Sequence, residues 1–292
     1  MSKLKLRKPF ASPASKIYVF NFLDESESGV VRRLQEDMVI AANYSSAKGR
    51  SPSEIIETFV INNIEQCYDA FLKVIIDAEM GQLPLIHLLG HGSKDKGLKC
   101  TDGSFVPWLK LIDLFEKVIY TARGQLTVIA AACHSFELTR HLEQYSKTPY
   151  AFYYGYDRAI SLGEMEQDLS ALYRNFIVNK ADISGSTLAI KVHSEYDNLE
   201  AVRGALLVLT NPEQARKEGL SKSALRKKLD LDLPASEARK RFNQIVQSKD
   251  FVIRLINDLF HLTERRQFIL EDVINYCDSM EFDQESNENS AR

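Results

Sequence analysis

The sequence predicts an α/β fold, a mostly parallel sheet flanked by helices, with a helical C-terminal segment. Between residues 16 and 212, short runs rich in β-branched and aromatic residues alternate with stretches of helical period. The run QLTVIAAAC at 125–133 is apolar on both alternations, which is typical of a central parallel strand covered on both faces. Residues 213–282 are charged and helical in spacing, and they contain no strand pattern.

The individual elements follow from local patterns. KIYVFNFL at 16–23 is β-branched and aromatic and stops at the polar run DESESG, which predicts a first strand. Ser51, Pro52 and Glu54 form a helix-start signature, and apolar spacing predicts that this helix continues to about residue 78. Further strands are predicted at 84–89, 125–133, 150–156 and 204–210, a hairpin with an Asp102-Gly103 turn at 97–108, and further helices at 30–42, 109–120, 135–146 and 164–179.

These elements and the composition define the organisation of the chain. We expect a flexible leader at 1–15, the α/β domain at 16–212, the helical segment at 213–282 and a disordered acidic tail at 283–292. The net charge of −3 does not favour nucleic-acid binding. A signal-like apolar region and a long apolar run are both missing from the sequence, so we expect a cytoplasmic protein without membrane contact. The four widely spaced cysteines are then expected to be free thiols.

Two predicted strands end in reactive residue types, PLIHLLGHG at His91 and QLTVIAAAC at Cys133. Sites in open α/β sheets form at the carboxyl ends of the strands, so parallel strands would bring both side chains to one edge. A thiolate is a strong nucleophile, and a nearby imidazole activates it by taking its proton. The backbone N–H groups of Gly92 and Cys133 would complete the site as an oxyanion hole.

The segments LIHLLGHG and VIAAACHS resemble the His-Gly and Cys motifs of caspase-like (clan CD) cysteine peptidases, most closely the bacterial CHAT-domain peptidases and next the metacaspases. GLKCTDGSFVPW and RGALLVLTNP are similar to further segments of that family, so the resemblance spans about residues 16–212. It implies a caspase-like fold and a cofactor-free endopeptidase in which Cys133 attacks a protein substrate and His91 acts on the scissile bond. It also implies control by a regulatory partner or by oligomerisation, in a bacterial antiviral-defence or programmed-death role.

The substrate preference stays open because the sequence departs from the metacaspase pattern. Metacaspases have an aspartate two positions before the cysteine, where it helps to bind a basic P1 side chain, and this chain has Ala131 there. Asp24, with its neighbours Glu25 and Glu27, or Asp157 would have to supply the charge of an S1 pocket. For an acidic P1 residue, as in caspases, the candidates are Arg32, Arg33 and Arg158.

Three other interpretations compete with this one. The same fold can serve as a catalytically inactive scaffold or adaptor that binds a partner protein. A nucleotide-binding domain is disfavoured because the chain has no GxGxxG or GxxxxGK[ST] motif. A zinc site is disfavoured because His87, His91, His134 and His141 lack a zinc-binding spacing. His87 is expected to be a packed structural residue, and Ser135 a helix cap.

Overall fold

The computed structural model describes residues 11–45, 51–144, 147–178, 183, 186–195 and 217. All of these except residue 217 belong to one compact unit, Pro9–Glu195. The predicted strand at 204–210, the tail at 283–292 and nearly all of the predicted helical segment at 213–282 lie outside the described residues, as do residues 1–10 of the predicted leader.

The main sheet has six strands in the order β2-β1-β3-β7-β8-β9. Every neighbouring pair is parallel except β8 and β9. A second, three-stranded antiparallel sheet has the order β4-β5-β6. In chain order the strands are β1 (Lys16–Asn21), β2 (Ile56–Val60), β3 (Pro84–Leu89), β4 (His91–Ser93), β5 (Gly97–Lys99), β6 (Phe105–Val106), β7 (Thr127–Ala131), β8 (Phe152–Gly155) and β9 (Lys191–Ser194).

Helices cover both faces of the main sheet. On one face, Phe20 of β1 packs against Phe71, with 4.7 Å between ring centroids, and Phe71 packs in turn against Phe115. On the other face, His87 of β3 stacks on Tyr173. The helices are α1 (Ser28–Ser45), α2 (Pro52–Ile55), α3 (Ile64–Glu79), α4 (Trp108–Thr121) and α5 (Leu162–Val178), with 3-10 helices at Glu25–Glu27 and Ser135–Gln144.

Strands β3 and β7 are buried along their whole length, as expected for strands covered on both faces. The predicted fold class, a mostly parallel sheet flanked by helices, is therefore confirmed. None of the described helices is both long and apolar enough to cross a lipid bilayer.

The prediction of one helix from residue 52 to about 78 was wrong. The helix that starts at Pro52 ends after four residues, and Ile56–Val60 pairs in parallel with β1 as the edge strand β2. A new helix, α3, starts behind Asn63, whose side chain accepts a hydrogen bond from the Gln66 N–H at 2.9 Å. The apolar residues of 56–60 fit a helical period, but pairing with the exposed edge of β1 outweighs that local preference.

The hairpin after His91 was predicted correctly, although it begins earlier than expected. Gly103 has a φ of +87° in the turn, where the Asp102 side chain accepts a hydrogen bond from the Ser104 N–H at 2.8 Å. The indole N–H of Trp108 donates to the Ser93 carbonyl at 3.0 Å, which ties α4 to the end of β4. The hairpin therefore holds the segment that starts at His91 as a strand rather than a loose loop.

Candidate active site

His91 and Cys133 are brought to one edge of the main sheet by the register of β3 and β7. Leu89 lies opposite Ala131, the last residue of β7, and the Gly90 N–H donates to the Ala131 carbonyl at 3.1 Å. Each reactive residue follows two positions later in its own segment. The parallel register of β3 and β7 therefore brings both residues to the same edge of the sheet, as the sequence predicted.

The backbones of Gly92 and Cys133 touch beside these side chains. A Cβ atom on Gly92 would lie 1.9 Å from the Cys133 carbonyl oxygen and 3.3 Å from the Ala132 Cβ. Such a distance is too short for any side chain, so this approach requires glycine. Among the hydrogen bonds of the described residues, none uses the Cys133 N–H. The two residues predicted to supply the oxyanion hole thus lie next to each other.

The thiol of Cys133 is partly exposed and contacts the main chain of the loop between β8 and α5. The Ile160 N–H donates to Sγ at 3.3 Å, and the thiol donates to the Ile160 carbonyl at 3.4 Å. The next residue, His134, has a φ of +56°, and its N–H donates to the Arg158 carbonyl at 3.1 Å. The chain therefore turns sharply at the cysteine and is held in that turn by the loop.

Ser135 braces the same turn from inside the domain. Its hydroxyl donates to the Ala130 carbonyl at 2.7 Å and accepts from the Tyr156 N–H at 2.9 Å. The hydroxyl of Tyr153 donates to the Ser135 carbonyl at 2.7 Å. Because Ser135 is fully buried and its hydroxyl is used twice, it acts as a structural link between β7 and β8.

His91 is exposed over 55% of its side chain, and its Nε2 lies 3.1 Å from Oε2 of Glu27. The hydrogen bonds of the described residues thus hold His91 on Glu27 and Cys133 on Ile160, rather than on each other. Asp24 lies close enough to His91 for their charges to interact. Hydrogen bonds from Ser26 hold the pKa of the Asp24 carboxyl below its ordinary value, and His91 lowers it further.

The three candidates for S1 have different surroundings. Ala131 is fully buried in β7, whereas Asp24 is exposed beside His91. Asp157 forms an ion pair with Lys191, which lowers the pKa of its carboxyl. Of the arginines considered for an acidic P1 residue, two are paired with glutamates, Arg158 with Glu164 and Arg33 with Glu166.

Comparisons with known proteins add little to this geometry. No protein-family model matches the chain, and no curated protein matches it. Among solved structures, a secreted C11 cysteine protease from Bacteroides thetaiotaomicron in complex with an irreversible peptide inhibitor is similar, with 11% sequence identity and a TM-score of 0.41. The similarity covers 68% of this chain and 70% of that protein.

His87 on β3 and the two described cysteines outside the site, Cys67 and Cys100, lie in the interior of the domain. His87 is fully buried, its Nδ1 is 2.6 Å from the Tyr173 hydroxyl, and burial lowers its pKa to about 3. Burial also raises the pKa of the Cys67 and Cys100 thiols. Within the described part of the chain, no group of three or more His, Cys, Asp or Glu side chains is arranged to hold a metal ion.

Sequence reasoning missed two contacts of the site. Glu27 was expected only as part of the acidic run that could supply the charge of an S1 pocket, and its contact with His91 spans 64 positions of sequence. Cys133 contacts only the main-chain N–H and carbonyl of Ile160, so the residue types in the sequence could not predict this contact. The one available signal was the acidic run directly after a strand that neighbours β3 in the sheet.

Proposed function

We propose that this protein is a caspase-like cysteine endopeptidase of the CHAT type, with Cys133 as nucleophile and His91 as its acid/base partner. The observation that supports this most directly is the backbone contact between Gly92 and Cys133, which joins the two strand ends that hold the pair. A reactive thiol, an exposed imidazole and adjacent backbone N–H groups are what acyl transfer requires.

The reaction follows from these groups. The Sγ proton passes to His91, and the thiolate attacks the carbonyl carbon of the scissile peptide bond. The N–H groups of Gly92 and Cys133 stabilise the oxyanion of the tetrahedral intermediate. The protonated His91 then gives its proton to the leaving amine, the C–N bond breaks, and a thioester remains. Water, deprotonated by His91, releases the carboxylic acid product and regenerates the thiol.

Substrate recognition is the second part of the proposal. Asp24 is the S1 candidate that the surroundings favour, because it is exposed beside His91 and its charge is not neutralised by a lysine or arginine among its described contacts. Asp157 is less suited because Lys191 already pairs with it, and Ala131 has no exposed surface to offer. We therefore expect cleavage after a basic residue in a protein substrate.

Regulation is the third part. Cys133 rests on Ile160 and His91 on Glu27, so the nucleophile must leave the loop before it can exchange a proton with His91. We propose that a separate regulatory protein, or oligomerisation, favours that movement in a cytoplasmic defence or programmed-death pathway. Peptide hydrolysis that is already maximal in a lone monomer, and unchanged by protein concentration, would contradict this part.

A peptide-library cleavage profile tests the activity itself. Wild type is compared with Cys133→Ala, His91→Ala and the matched control Cys100→Ala, which removes a buried thiol outside the site. We expect the first two variants to lose hydrolysis by at least about a thousandfold, and the control to keep its activity per folded molecule. Retention of every cleavage by Cys133→Ala would disprove the proposal.

An inactive scaffold that binds a partner is the alternative, and the thiol bonded to Ile160 instead of His91 is the observation that favours it. The two functions differ in the outcome of labelling with iodoacetamide. A peptidase nucleophile reacts rapidly once it has left Ile160, and that faster reaction is lost when His91 is replaced by alanine. In a scaffold, His91→Ala leaves the labelling rate of Cys133 unchanged.

A further inference from the structure

We infer that Glu27 is a positioning residue that fixes the orientation and tautomer of His91, so that Nδ1 is the atom that exchanges protons with Cys133 and the leaving group. The inference rests on the proposed function and extends it from a pair to a Cys–His–Glu arrangement. It is carried by one contact, the 3.1 Å distance between His91 Nε2 and Glu27 Oε2.

The turn after β1 is built to present Glu27 to His91. The Asp24 side chain accepts hydrogen bonds from the N–H of Ser26, at 2.9 Å, and from the Ser26 hydroxyl. The Glu27 N–H donates to the Asp24 carbonyl at 3.1 Å, which closes the 3-10 turn. Since β1 lies beside β3 in the sheet, this turn stands next to the strand end that holds His91.

The chemistry of the contact fixes the tautomer. A carboxylate only accepts hydrogen bonds, so the ring nitrogen that faces Glu27 must carry the hydrogen. Neutral His91 is then protonated on Nε2 and has its lone pair on Nδ1. Glu27 is more buried than His91, with 21% of its side chain exposed against 55%, so the more enclosed carboxylate can orient the more exposed ring.

The proton steps can be assigned to atoms on this basis. Nδ1 takes the Sγ proton, which leaves an imidazolium with hydrogens on both nitrogens. The Nε2 hydrogen stays on the Glu27 side, where the carboxylate stabilises the positive charge. Nδ1 then returns its proton to the leaving amine, and the ring regains the Nε2–H tautomer. Glu27 takes no proton in these steps, and it forms no contact with the substrate.

The sequence suggested a different role for Glu27, in which the acidic run at 24–27 binds a basic substrate side chain. The two roles differ in kinetics. A positioning residue acts on the proton-transfer steps and therefore on kcat, whereas a residue that only binds the substrate changes KM and leaves kcat unchanged.

Nitrogen NMR of the imidazole rings tests the tautomer without any substrate. The protein is labelled with 15N-histidine, and the signal of His91 is assigned by its loss in His91→Gln. We expect the Nε2–H tautomer to predominate in wild type, and a mixture of tautomers in Glu27→Ala. Glu25→Ala, which removes the same charge from the same turn, should leave the wild-type pattern. A predominant Nδ1–H tautomer in wild type would overturn the inference.

Kinetics on a peptide selected from the cleavage library provides the second test. We expect Glu27→Ala to lower kcat on the order of ten- to a hundredfold with KM nearly unchanged, and Glu27→Gln, which keeps an acceptor oxygen, to recover part of the loss. Glu36→Ala, an exposed glutamate of α1, should match wild type. A higher KM at unchanged kcat in Glu27→Ala would reject the positioning role.

The two proposals fail in different ways. If Cys133→Ala still cleaves the peptide, the proposed function is wrong whatever the tautomer. If Cys133→Ala and His91→Ala are inactive while Glu27→Ala has the wild-type kcat, the peptidase assignment stands and only the role of Glu27 is wrong.

Discussion

His87 and His91 lie four positions apart in the sequence, yet one is sealed inside the domain and the other stands at the carboxyl edge of the main sheet. The three described cysteines divide in the same way, with Cys67 and Cys100 buried and Cys133 partly exposed. Since β3 and the segment after it contribute both histidines, the difference arises from where the strand ends rather than from residue type. A reactive side chain that is buried within a strand has a structural role, whereas one that follows the end of a strand is exposed and can react with a substrate.

The largest expected effect concerns the cysteines. We expect iodoacetamide to label Cys133 in the native protein about a thousandfold faster than Cys67 or Cys100, because a fully buried thiol reacts only when the structure opens. Burial also raises the pKa of both interior thiols, which keeps them protonated. The rates are measured by mass spectrometry of the labelled peptides over time.

Two outcomes would break this contrast between interior and edge. One is equal labelling of all three thiols, which would mean that the edge offers no special access. The other is faster labelling of Cys67 or Cys100 than of Cys133, which would mean that the thiol at the edge is the protected one. Cys133→Ala serves as the control for peptide assignment.

The second prediction concerns acid stability and His87. The folded protein keeps His87 neutral down to a pH of about 3, whereas in the unfolded chain it binds a proton below its ordinary pKa of 6.5. Between these values the unfolded state binds more protons, so stability falls as the pH falls. The loss amounts to roughly 1.4 kcal/mol per pH unit, or about 3 kcal/mol at pH 4.

Urea unfolding at pH 7, 5.5 and 4 measures this loss in wild type and in His87→Asn, which cannot titrate. We expect a shallower dependence on pH in the variant. Tyr173→Phe is the matched control, because it removes the hydrogen bond to His87 but leaves the ring buried. If Tyr173→Phe flattened the dependence as much as His87→Asn, burial would not be its cause.

The contrast between interior and edge also explains what the sequence could predict. A buried strand that ends in histidine or cysteine is visible as an apolar run followed by a polar, reactive residue. His91 and Cys133 could therefore be placed at one edge from the pattern, and the structure brings them there. Their assigned roles remain predictions.

Elements at the margins of the sheet were harder to predict. Ile56–Val60 is an edge strand with mostly part-exposed side chains, and its spacing fits a helix equally well. The edge strand β9 has only four residues and no fully buried one, so its pattern is weak. The contact of Glu27 with His91 depends on a turn geometry and on two distant segments meeting, and neither is encoded in a local pattern.

A third prediction tests the close approach of Gly92 to the backbone of Cys133 at the sheet edge. Gly92→Ala would place a Cβ 1.9 Å from the Cys133 carbonyl oxygen, so the backbone of one segment must move. We expect a loss of about 2 kcal/mol in the free energy of unfolding and a fall in peptide hydrolysis on the order of a hundredfold. Differential scanning fluorimetry and the peptide assay measure the two effects.

Gly163→Ala is the control for this substitution. Gly163 lies in α5 with no heavy atom near the position of a Cβ, so alanine should stabilise the helix by about 0.5 kcal/mol. A Gly92→Ala protein that is as stable and as active as Gly163→Ala would show that the close approach of Gly92 and Cys133 is not needed.

The smallest effect is expected at the ion pair between Lys191 and Asp157, where the edge meets the last described strand. Both side chains are more than a third exposed, so water screens the pair, and Lys191→Ala should cost less than about 0.5 kcal/mol of stability. The substitution would also let the pKa of Asp157 rise towards its ordinary value, because it removes the lysine that pairs with the carboxyl and leaves the weaker influence of Arg158. If Asp24 is the residue that binds a basic P1 side chain, Lys191→Ala leaves the cleavage profile unchanged, and Asp24→Asn, which removes the charge but keeps an acceptor oxygen for Ser26, raises KM for basic substrates several-fold. A stronger preference for basic P1 residues in Lys191→Ala would instead transfer the S1 role to Asp157, because the variant removes the lysine that pairs with that carboxylate.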